Sequence, residues 1–85
     1  MVIKLNKEMS DLLLKEVEDI EPLIVSRREV GENTVELNVS DIDEIQLLIN
    51  DEIVYRGLDK QETVNDLGKK LYVLYDEILY QKHNN

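Results

Sequence analysis

The sequence predicts a small α+β domain: an antiparallel sheet of about four strands with an N-terminal and a C-terminal helix packed on one face, in the order α-β-β-β-β-α. Three observations lead there. Apolar residues recur at helical spacing over residues 7–20 and again from residue 64 onward. Between them, residues 34–40 alternate apolar and polar, the period of a half-buried strand. Short Gly/Asn and Asn/Asp segments break the central apolar runs where hairpin turns belong.

Leu5, Met9, Leu13, Val17 and Ile20 form the stripe of the first helix, and Leu12 widens it. Asn6 is suited to be the N-cap, and Pro22 disfavours the α conformation at Glu21, which sets the helix end there. Next come two runs, Leu23 to Val30 and Thr34 to Ser40, separated by Gly31-Glu32-Asn33. Val35, Leu37 and Val39 share one face of the second run, so the pair reads as a hairpin.

Residues 41–56 support two readings. Strands at 45–49 and 53–56 around Asn50-Asp51-Glu52 would make a second hairpin, favoured by the Ile, Val and Tyr content. A helix over 41–56 would use Ser40 as N-cap and place Ile42, Ile45, Ile49 and Ile53 on one stripe, giving α-β-β-α-α. The hairpin is preferred. The last helix is expected to open at Asp59, with Glu62 completing an acidic capping box. Val64, Leu67, Leu71, Leu74 and Ile78 then form its core stripe, and Gln81 to Asn85 should fray. No linker or repeat divides residues 1–85, so they are read as one domain.

The charge narrows the functional classes. Ten Lys and Arg against 19 Asp and Glu leave a formal charge of −9. Such a surface repels nucleic acid and anionic membranes, while basic protein surfaces are its electrostatic partners. With no cysteine and one histidine, neither a disulfide nor a zinc staple is available. The N-terminal segment lacks a signal-peptide core and the apolar runs are too short to span a bilayer, so a cytoplasmic protein is expected. The absence of alanine, with abundant Ile, Asn, Lys and Glu, matches an AT-rich coding genome, bacterial or phage.

Catalytic and metal motifs are missing. Asp41, Asp43 and Glu44 resemble the opening of a calcium loop, but Ile45 stands at a ligand position and Gln46 where the loop needs glycine. His83 is alone and reads as a tail residue. Ser10, Ser26 and Ser40 have no histidine base except the tail one, and Gly31, Gly57 and Gly68 are too isolated to build a phosphate loop. No catalytic residue, cofactor or metal is expected.

Two features rise above this background. No Lys or Arg occurs between Arg28 and Arg56, whereas Glu29, Glu32, Glu36, Asp41, Asp43, Glu44, Asp51 and Glu52 all do. On one sheet these would form an acidic patch for a basic protein surface, or simply a solvated face that keeps a small protein soluble. The second feature is the apolar arc of the last helix. It spreads beyond one stripe through Gly68, Tyr72, Tyr75 and Leu79, enough to cover a sheet and meet something more. That something is either the first helix or a second subunit. The expected function is therefore a non-catalytic interaction or regulatory module, with a homodimeric structural module as the alternative and an enzyme third.

Overall fold

Val2-Ile3-Lys4-Leu5-Asn6 alternates exposed and buried residues, and it forms a strand rather than the approach to a helix. The computed structural model describes residues 1–58 and 63–84. The chain runs β1 (Val2–Asn6), α1 (Lys7–Glu16), a 3₁₀ turn (Glu21–Leu23), β2 (Ile24–Glu29), β3 (Thr34–Val39), α2 (Ile42–Arg56) and α3 (Asp66–His83). The three strands form one antiparallel sheet in the order β1-β3-β2.

This corrects the four-strand expectation. The β2–β3 hairpin forms as the alternation implies, with Arg28 opposite Glu36 and Arg27 opposite Leu37. The second hairpin does not form, and residues 42–56 are helical. Asp41, not Ser40, is the N-cap, its side chain accepting a hydrogen bond from the Glu44 amide at 3.1 Å. Asp43 and Glu44 then sit in the first turn, where the helix dipole favours acids. Ile45, Ile49 and Ile53 all fall in the core. Burial of that stripe overrides the strand preference of the individual residues, which depends on context. The missing third strand comes from β1.

The first helix is also shorter than expected. Asn6 caps it, accepting from the Met9 amide at 2.7 Å, but it stops at Glu16 rather than beside Pro22. Val17 is extended and Asp19 has φ 62°, a left-handed conformation that Asp tolerates better than most residues. Val17 and Ile20 still reach the core from this irregular segment. Pro22 lies in the 3₁₀ turn instead.

α3 begins at Asp66, with Asn65 as its N-cap. Val64 lies before the helix and bridges to Leu58. The expected box of Asp59 and Glu62 lies outside the described residues. At the other end the helix continues to His83, so Gln81 is an ordered helical residue and His83 an exposed one in the last turn.

The helices cover one face of the sheet. Ile3 and Leu5 of β1 and Val35, Leu37 and Val39 of β3 meet Leu13, Ile45, Ile49, Ile53, Leu71, Leu74 and Ile78 in a single core. The opposite face carries Lys4, Glu36 and Arg28 in one cross-strand row. β2 overhangs this arrangement: Arg27 and Glu29 point to the helical side, yet both are exposed.

Candidate interaction surfaces

The eight acids of the basic gap do not gather on one sheet. Glu29 and Glu36 lie on opposite faces of adjacent strands, and Glu32 lies in the exposed β2–β3 turn. Asp41 caps α2, and Asp43, Glu44, Asp51 and Glu52 are on that helix. Cations from elsewhere in the chain reach several of them. Arg28 lies 3.3 Å from Glu36, Arg27 lies 3.7 Å from Glu29, and Lys82 of α3 bonds to Asp43. Glu52 is buried and accepts from Arg56 Nε at 2.7 Å.

Arg56 organises its corner of the fold. It also lies 3.4 Å from the Glu16 carboxylate and donates to the Glu16 backbone carbonyl, closing the C-terminal end of α1. The second Glu52 oxygen accepts from the Glu18 amide at 3.3 Å. The hydrogen bond to Glu52 is the main reason that the guanidinium pKa is raised, against an opposing effect of partial burial. All of this cation's contacts are structural, and it contributes no free positive charge to the outer face of α2.

That outer face presents large apolar side chains to solvent. Leu47, Val54 and Tyr55 are 58%, 63% and 85% exposed. At 100° per residue they share an arc with Glu44 and Asp51, so apolar and acidic side chains interleave without a base. Beside them lies an open depression of about 580 Å³ lined by Glu18, Asp19, Leu48, Asp51, Val54 and Tyr55. A second groove, of about 440 Å³, runs between α1 and α3 over Met9, Leu12 and Val73. Its rim is of mixed sign, with Glu8 and Asp11 on α1 and Lys69 and Lys70 on α3.

α3 packs chiefly on α2, with a smaller contact to α1. Gly68 is buried against Gly57, so closely that a Cβ on Gly57 would stand 2.8 Å from the Gly68 Cα. Asn65 secures the junction, donating from Nδ2 to the Arg56 carbonyl at 2.8 Å and accepting from the Gly68 amide at 2.8 Å. Tyr75 is half-buried against the core, Leu79 is half-buried, and Tyr72 is mostly exposed. Of the four flank residues, Gly68 is thus occupied within the chain and Tyr72 is open to solvent.

Sequence reasoning missed the outer face of α2 because it read those residues as strands. The signal was present: Leu47 and Val54 are seven apart, two full turns of a helix. Among the described residues no group of three or more His, Asp or Glu side chains is placed to hold a metal ion, and no helix is long and apolar enough to cross a membrane. Comparison with known proteins gave no match, whether to a family model, a curated protein or a solved structure.

Proposed function

We propose that this chain is a non-catalytic interaction module that engages a basic segment of another protein through the outer face of α2. The observation that carries this reading is the exposure of Leu47, Val54 and Tyr55 among Glu44, Asp51, Glu18 and Asp19, with Arg56 of the same helix committed to Glu52 and Glu16. Apolar contacts there supply affinity, and the surrounding acids select a partner of opposite sign and steer its approach. Tyr55 adds an exposed ring face that attracts Lys or Arg. A homodimer built through α3 has less support, because Gly68 and Lys82 both face α2.

The test is a titration with synthetic amphipathic peptides rich in Lys and Arg, followed by backbone amide shifts. Shifts should concentrate at residues 44–55 and at Glu18 and Asp19. Affinity should fall as salt rises from 50 to 500 mM, roughly in step with the screening length. Replacing Val54 and Tyr55 by Ser should weaken binding about tenfold or more, as expected for loss of an aromatic anchor. Shifts spread evenly over the acidic surface, or unchanged binding by the double variant, would remove α2 as the binding face.

A further inference from the structure

The sheet has two edges, and among the described residues only β1 is clasped by a side chain. At β1, the Lys4 amide donates to Gln81 Oε1 at 2.8 Å and Gln81 Nε2 donates to the Lys4 carbonyl at 2.6 Å. The carboxamide takes the place that a neighbouring strand's peptide group would occupy. No described residue does this for β2, which packs on the core through Ile24 and is exposed from Val25, at 64%, to Glu29. An uncovered edge of this kind is a template for pairing with another strand.

The backbone fixes which β2 residues offer that edge. The Val30 amide donates to the Thr34 carbonyl at 3.0 Å, and Arg28 lies opposite Glu36 in the same register. Alternate residues along an antiparallel strand direct their backbone groups to opposite sides. Arg28 and Val30 therefore spend theirs on β3, and Arg27 and Glu29 turn theirs outward. The outward pair carries opposite charges, and the β2 run Arg27-Arg28-Glu29 is locally cationic in a chain of net charge −9.

We propose that the free edge of β2 pairs antiparallel with β2 of a second copy, Arg27 opposite Glu29, to make a continuous six-stranded sheet. In this register a two-fold axis passes between the two Arg28 residues, and the Arg27–Glu29 pair forms twice, once on each side of the axis. The neighbouring registers pair Arg27 with Arg27 or Glu29 with Glu29, which like-charge repulsion disfavours. The two Arg28 side chains face each other, and each already has Glu36 of its own chain at 3.3 Å. The helical layers do not meet at the paired residues, because Arg27 and Glu29 on the helical side of β2 are uncovered in each copy. A second copy is the occupant that fits, because the strand complements itself and its paired run is locally cationic in an acidic chain.

The chain has no cysteine, so single-cysteine variants report the register directly. Arg28→Cys places two thiols across a non-hydrogen-bonded pair, where Cα atoms are about 4.5 Å apart, within disulfide reach. Arg27→Cys places them on a diagonal of about 7–8 Å, beyond reach. Under mild oxidation Arg28→Cys should give a covalent dimer and Arg27→Cys should not. In sedimentation equilibrium, Arg27→Glu should weaken wild-type dimerisation about tenfold, and adding Glu29→Arg should restore it. Lys7→Glu, the same change in net charge away from this edge, should have a much smaller effect. A wild-type protein that stays monomeric at about millimolar concentration overturns the proposal, as do equal cross-linking of both cysteine variants and failure of the charge swap to restore pairing.

Discussion

Arg56 shows how one side chain can join two segments that are distant in sequence. Its guanidinium joins α2 to the last carbonyl of α1 and balances the buried Glu52, whose other oxygen holds the Glu18 amide. Arg56→Ala would leave Glu52 buried without its cation and the Glu16 carbonyl without this donor. The expected cost is about 1–3 kcal/mol, read as a lower midpoint in urea unfolding with little change in slope. Arg56→Lys should recover only part of that loss, since an ammonium cannot span the three acceptors as the planar guanidinium does. Such a network was not legible in the sequence. Glu16 and Arg56 are 40 residues apart, and a wealth of acids gives no clue to which one is buried.

At the scale of elements, the α2–α3 hairpin depends on contact between two glycines. Gly68→Ala should improve helix propensity by up to about 1 kcal/mol, yet it would drive a methyl group into the Gly57 carbonyl and the Val64 side chain. The steric term wins, because backbone has little room to yield. The expected result is a net loss of about 1–3 kcal/mol in thermal or urea unfolding, opposite in sign to Gly→Ala at an uncrowded helical site. Gly68 was legible in the sequence as part of the broad apolar arc of the last helix, but its partner was not. The β2–β3 hairpin and the cap at Asn6 were equally legible, because alternation and capping are local properties. α2 was not, because β-branched residues suit a strand and also suit a buried helical stripe. Leu5 misled for a related reason: a five-residue strand running straight into a helix lets one leucine satisfy both periods.

For the whole molecule, the charge of −9 acts on two proposed associations with opposite sign. Binding of a basic segment at α2 draws on attraction and should weaken with salt. Self-pairing at β2 works against overall repulsion, so raising salt from 50 to 300 mM should strengthen dimerisation in sedimentation equilibrium. The two surfaces lie on different elements, α2 and β2, so one can be mutated while the other is measured. Weakening of both associations with salt would show that the local Arg27–Glu29 pairs, rather than the total charge, govern self-pairing.

The Gln81–Lys4 clasp also bears on the order in which the polypeptide can be threaded. It brings positions 77 residues apart in sequence into direct contact, so the fold is nearly a closed ring. A permuted gene could then join the two ends through a short Gly/Ser bridge and open the chain between Gly31 and Glu32, in the exposed β2–β3 turn. Such a permutant should melt in one cooperative transition and keep the amide shifts of Lys4, while the tight hairpin becomes a long-range pairing that forms more slowly.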